Sequence, residues 1–216
     1  MKTRVWAVVS QKGGAGKSLV AANLLVSGKL DGWKVAGFDL DRQGTLDGWA
    51  DDRPTDDVPV DALTGDKLNQ LPALLERLEA KGFDLAVLDC PGADSPVTNA
   101  AIRAADLCIM PIVPLRPDVK ASVATIEAVE LLGKPLVFVL NKCPPGERGT
   151  RSAEVAGALK KRGIVAPVTL SQRMDFNDAF AGGQGVAEYA PRGKSAAELR
   201  ELWQWLKKEG RKHGKK

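Results

Sequence analysis

"SQKGGAGKS", residues 10–18, holds two lysines in nine positions. It follows the apolar run "RVWAVVS" (4–10) and runs into a helix-like stretch over 17–30. Strand, glycine turn, Lys-Ser and helix, in that order, is the setting in which a phosphate-binding loop works. Glycines let successive backbone N–H groups curl around phosphate oxygens, and the helix N-terminus adds a favourable dipole. Gly13, Gly14, Ala15 and Gly16 make the turn. Lys17 is placed to meet the β- and γ-phosphates of ATP, and the Ser18 hydroxyl to meet Mg²⁺. Two features do not fit the general pattern. Gln11 stands where its first glycine belongs, and Lys12 adds a cation just ahead of the turn.

Outward from this loop, "KVAGFDL" (34–40), "FDLAVLDC" (83–90), "DLCIMPIV" (106–113) and "PLVFVLN" (135–141) read as nearly continuous buried strands, with "GIVAPVTL" (163–170) as a sixth. Helix-like spacing fills 17–30, 66–81, 117–132, 151–162 and 195–209. Apolar strands separated by helices predict an α/β fold, a doubly wound and mostly parallel sheet with helices on both faces. Ligands of such sheets lie at the carboxyl ends of the strands. Acidic residues sit at two such ends. "GFDLDRQGTL" (37–46) offers Asp39 and Asp41, and "FDLAVLDCPG" (83–92) offers Asp89. "VFVLNKC" (137–143) puts Asn141 at another, where an amide has the donor and acceptor that an adenine edge requires.

These motifs resemble the ParA/MinD family of deviant Walker ATPases. "KGGAGKS" is similar to its KGGxGK[ST] motif, in which Gln before the early lysine is common. "DLDRQG" is similar to its DxDPQ segment, with Arg42 in place of Pro, and "LDCPG" to its D-x-P-P, with Gly92 in place of Pro. "MPIVPLRPDVKA" (110–121) is similar to the ParA proline-rich loop, and "SQRMDFNDAFAGGQGVAEYAPRGKSAAEL" (171–199) to a ParA ending. The resemblance implies that Lys12 reaches across a nucleotide-sandwiched homodimer to the partner's phosphates, as an arginine finger does in trans. It implies that Asp41 orients the attacking water near the metal, and that Asp89 holds Mg²⁺ through water. It further implies a weak basal ATPase activity, non-specific DNA binding, a ParB-like activator, and a cargo that could be a plasmid, a chromosome or a protein complex.

Composition narrows the rivals. The 216 residues suggest one ATPase domain over 1–209, followed by a basic tail over 210–216. No apolar run approaches the roughly 20 residues that cross a bilayer, so a cytoplasmic protein is expected, and the resemblance to ParA implies association with the nucleoid. Cys90, Cys108 and Cys143 show neither metal spacing nor an even count and read as core residues. The absence of a C-x-x-C argues against a metal-cluster carrier. The single histidine, His213, leaves no Ser–His or Cys–His nucleophile. Lys12 and the ParA-like ending argue against a metabolic P-loop kinase or ligase.

A MinD-like protein working at a membrane surface is the closer rival. Leu199, Leu202, Trp203 and Leu206 form one apolar stripe, read as a last helix packed on the sheet. The segment "KKEGRKHGKK" (207–216) breaks up any longer amphipathic wedge, because Gly210 and Gly214 disfavour a helix there. Nine Lys/Arg against three Glu from Arg192 onward leave the rest of the chain at −2 of the net +4. Arg173, Arg192, Lys194, Lys207, Lys208, Arg211 and Lys212 are the candidate DNA contacts, binding phosphates rather than bases.

Overall fold

A computed structural model describes residues 2–92, 95–144 and 150–213. The strands are β1 (Arg4–Val8), β2 (Val35–Asp39), β3 (Val60–Ala62), β4 (Leu85–Asp89), β5 (Leu107–Ile112), β6 (Leu136–Leu140) and β7 (Ile164–Val165). They form one sheet in the order β3-β2-β4-β1-β5-β6-β7, every pairing parallel. The helices are α1 (Lys17–Leu30), α2 (Thr45–Asp51), α3 (Leu71–Ala80), α4 (Pro96–Ala104) and α5 (Arg116–Ala121). They continue as α6 (Val123–Leu131), α7 (Thr150–Leu159), α8 (Met174–Ala181), α9 (Val186–Tyr189) and α10 (Lys194–His213). The expected doubly wound fold is what is found.

Because side chains alternate across a strand, each strand feeds two cores. Trp6, Val8, Val87, Ile109 and Val137 face one side, under α1, α8, α9 and α10. Val5, Ala7, Leu88, Met110 and Phe138 face the other, under α3, α4, α6 and α7. This double coverage is why the strands read as unbroken apolar runs. All three cysteines are buried free thiols, and burial pushes Cys108 up to about 12. They are packing residues, as expected.

Several boundaries differ from the sequence reading. The 66–81 helix splits into a 3-10 turn (Gly65–Gln70) and α3, where Pro72 sits in the first turn. The 117–132 helix breaks at Ser122, whose hydroxyl bonds back to the Val119 carbonyl. Of 163–170, only Ile164 and Val165 pair as strand. The short elements β3, α2, α8 and α9 carry too few residues for a periodic signal. Helix α4 did have one: Ser95 accepts from the Thr98 N–H at 3.2 Å, and Pro96 opens the helix.

The 209/210 boundary is corrected. Helix α10 runs on through Gly210 to His213, while 214–216 lie outside the described residues. Gly210 is buried, and a Cβ built there would come 2.9 Å from Trp6 Cζ2. The missing side chain lets the helix lie against the Trp6 ring, and this contact offsets the poor helix propensity. Trp203 continues the same seam, with ring centroids 5.6 Å from Trp6 and 5.1 Å from Trp33. Gly210→Val should overpack this contact and destabilise the protein by about 1–3 kcal/mol. An unchanged or raised midpoint in thermal unfolding would contradict it.

Candidate nucleotide-binding site

The sheet order assembles the site. Asp39 of β2 is the register partner of Asp89 of β4, and Asp89 is the partner of Val8 of β1. Two acidic strand ends and the start of the glycine loop therefore meet in one crevice, where the connections diverge to opposite sides of β1. Within the loop, Gly14 and Gly16 have φ of +81° and +90°. The N–H groups of Gly13, Gly14, Ala15 and Gly16 find no partner among the described residues. The first turn of α1 adds its own free donors, with no side-chain cap at Gly16. The result is a ring of unsatisfied N–H groups at a helix N-terminus, suited to phosphate oxygens.

Opposing carbonyls are held from outside. The Asn141 amide donates to the Ala15 carbonyl at 2.8 Å, and the Lys142 ammonium to the Gly14 carbonyl at 2.8 Å. A Cβ at Gly16 would run into the Asn141 amide nitrogen, so the loop and Asn141 pack without space for any side chain there. Asn141 is buried, and one of its two amide N–H groups is spent on the loop. Its second N–H and its Oδ1 remain available, so the expected contact with an adenine edge stays a proposal alongside this loop contact. Lys142, not anticipated from the sequence, holds φ +53°, a left-handed conformation unfavourable for a side-chain-bearing residue.

Lys17 is only 8% exposed, and a Cβ at Gly92 would lie 3.3 Å from its ammonium. Gly92 thus leaves open the space that Lys17 faces. The Asp39 carboxylate is fully buried and organises the neighbouring turn. One oxygen accepts from the Asp41 N–H at 2.9 Å, the other from Leu46 and Asp47 N–H at 2.8 and 3.0 Å. The Asp41 carboxylate, half-buried, accepts among the described residues from the Gln43 N–H alone, at 3.1 Å. Its carboxylate keeps spare acceptor capacity.

Asp89 is 1% exposed, and neither oxygen finds a well-aligned hydrogen-bond donor among the described residues. Burial pushes its carboxyl up to about 7, aided by Asp39 and Asp41, while the Ser18 hydroxyl and Lys17 pull the other way. An orphaned buried carboxylate beside a hydroxyl is a set of hard oxygen donors that fits Mg²⁺. Among the described residues no three of His, Cys, Asp and Glu group as a metal site. A hard cation held by one or two protein oxygens plus phosphate oxygens needs no such group.

Lys12 turns elsewhere. Its ammonium lies 2.5 Å from Oδ2 of Asp118 in the first turn of α5, a contact the sequence did not announce. The seven candidate DNA contacts divide. Arg173 pairs with Glu198 at 2.9 Å, Lys207 with Asp31 at 2.5 Å, and Lys212 with Glu209 at 2.7 Å. These three are neutralised within the fold. Arg192, Lys194, Lys208 and Arg211 are exposed and, among the described residues, unpaired.

Residues 6–186 match the family described as the CobQ/CobB/MinD/ParA nucleotide binding domain. The chain belongs to this family of nucleotide-binding ATPases. Maintenance of carboxysome distribution protein A from Halothiobacillus neapolitanus is 29% identical over 200 residues, which span 89% of this chain and 90% of that protein. The solved structure of apo McdA from Cyanothece aligns with a TM-score of 0.79 at 19% identity, over 94% of this chain and 99% of that one. An ATP complex of an aspartate-to-alanine variant of Cyanothece McdA aligns with a TM-score of 0.73 at 19% identity, over 100% and 98%. The expected family and fold are therefore borne out.

Two tests follow from the geometry. If Asn141 serves the loop and not the base, Asn141→Ala should weaken ATP and inorganic tripolyphosphate by a similar factor, about ten-fold, roughly the worth of one buried hydrogen bond. A loss confined to ATP in calorimetric titration would favour the base-reading role. For Asp89, the unfolded carboxyl ionises near 3.8 and the folded one near 7. Between those values the folded state binds more protons, so the metal-free protein should lose stability as pH rises from about 4 to 7 and level off above. Asp89→Asn should flatten that slope in denaturant titrations, and should remove the Mg²⁺ dependence of ATP binding.

Proposed function

We propose that the chain is a ParA-type positioning ATPase: Mg²⁺–ATP bridges two copies, and the dimer binds DNA non-specifically until a ParB-like partner stimulates hydrolysis. The observation that carries this reading is Lys12. Its ammonium is tied to Asp118 while Lys17 faces Gly92, so the second lysine does not duplicate the first. A half-exposed cation at the mouth of a phosphate loop is well placed to serve a facing copy.

In this reading the amides of Gly13 to Gly16, with Lys17, hold the triphosphate. Ser18 and Asp89 take the Mg²⁺ ion, which neutralises charge between the β- and γ-phosphates when bound. Asp41, steadied through Asp39, orients water with its spare oxygen. Positioning dominates this chemistry, so a weak base suffices. Lys12 completes the charge balance from the other copy, which makes turnover depend on pairing.

The cargo we favour is a large protein assembly, because the H. neapolitanus relative is named for carboxysome distribution. Lys194, Lys208 and Arg211 on α10, with Arg192 just before it, are exposed cations that would contact phosphates, although Arg211 also faces Asp31. A membrane-surface role finds no support in this helix. Leu199, Leu202, Trp203 and Leu206 are spent in the core, and no described helix is long and apolar enough to cross a membrane.

Lys12→Ala should bind ATP within about three-fold of wild type, yet lose ATP-dependent dimers in size-exclusion chromatography with light scattering. Its turnover should fall at least roughly ten-fold, as for loss of a trans cation. Asp41→Ala should accumulate ATP-loaded dimers. Normal pairing and turnover in Lys12→Ala protein would refute the reading.

A further inference from the structure

The Lys12–Asp118 contact is an arrangement that cannot persist in the proposed dimer. Asp118 carries a carboxylate whose side chain is 4% exposed, and Lys12 is its one side-chain partner among the described residues. The Lys12 side chain is 42% exposed. The two partners are therefore unequal. Freed lysine finds water at once, whereas freed aspartate is left charged inside the protein. Removing one member of a buried pair is costly because of the charge left behind. One ammonium cannot sit on Asp118 of its own chain and also on the phosphates of a second copy. Pairing is thus an exchange of a carboxylate in cis for a polyphosphate in trans.

We propose that Asp118 is a positioning residue that holds Lys12 in cis in the free subunit, so that only a triphosphate on a second copy draws it out. This rests on the trans role of Lys12 given above. The exchange is favoured when the competing anion carries more charge than one carboxylate. ATP supplies the γ-phosphate nearest the loop mouth, and ADP lacks it. Asp118 then sets the threshold that makes pairing discriminate between the two nucleotides. The contact lies in α5, a six-residue helix ending at the Ser122 break, so a short segment carries the whole device.

The test compares wild type, Asp118→Asn and Asp118→Glu by analytical ultracentrifugation with a non-hydrolysable ATP analogue and with ADP. Asp118→Asn should tighten the dimer about ten-fold or more and permit pairing with ADP, because no buried charge is abandoned. Its monomer should bind nucleotide within about two-fold of wild type, which a merely structural defect would not allow. Asp118→Glu, which keeps the cis partner, should restore the requirement for ATP. Thermal unfolding checks each variant, and Asp118→Ser replaces Asp118→Asn if that variant does not fold. Unchanged discrimination in Asp118→Asn, or a weaker dimer with both nucleotides, would overturn the proposal alone. Failure of wild type to pair with the ATP analogue would overturn the trans role and this proposal together.

Discussion

A peptide unit has two ends, and the site depends on how the loop disposes of one of them. To aim the N–H groups of residues 13–16 inward, the loop must find partners for its carbonyls. Asn141 takes Ala15 and Lys142 takes Gly14, both from the end of β6. The two consecutive residues that follow β6 thus clasp two consecutive carbonyls of another segment, about 126 residues earlier in the chain. The clasp has a local cost, since Lys142 is held at φ +53°. Such strain, on the order of 1 kcal/mol or more, persists only where surrounding contacts over-determine it. Here the neighbouring strands β5 and β6 and the buried Asn141 do so.

Charge is handled by the same logic of displaced cost. Asp39 is buried yet fully used, its oxygens accepting three backbone N–H groups. Asp89, its register partner, is buried and has no good donor. Two adjacent carboxylates at the same depth therefore have opposite characters: one is architecture, the other an unsatisfied acceptor held where a cation belongs. A protein with no use for a cation there would gain by placing an apolar residue at 89. An acid kept there at such a cost supports the proposed metal role more than its position at a strand end does.

These distinctions mark what the sequence could and could not tell. Strand and helix order was legible because each central strand is buried on both faces and each long helix packs on the sheet. The phosphate loop was legible because its glycines, Lys17 and Ser18 are contiguous. The difference between Asp39 and Asp89 was not, because it depends on which backbone groups α2 brings within reach. Asn141 was found by its place, but its bond to the loop was not foreseen. A strand-end amide can serve a base, a loop or both, and only the close approach to Gly16 reveals the loop contact. Lys12–Asp118 and Arg53–Glu188 join residues 106 and 135 positions apart. No local pattern announces pairs at such range.

The basic carboxyl-terminal region shows how composition misleads when partners are unseen. Counted along the chain, its lysines and arginines look like one continuous field. In the fold, Asp31 at the C-cap of α1 holds Lys207 and also accepts from the Trp203 indole, which pins α10 to the core. Glu209, 5% exposed, holds Lys212 and faces His213. Those cations secure helix packing and release no counterions to a polyanion. What remains is a spaced set along α10, with Lys194 and Lys208 about 21 Å apart at 1.5 Å per residue. In the proposed DNA-binding role, a sparse row on a helix would meet backbone phosphates of a long duplex rather than a single compact anion.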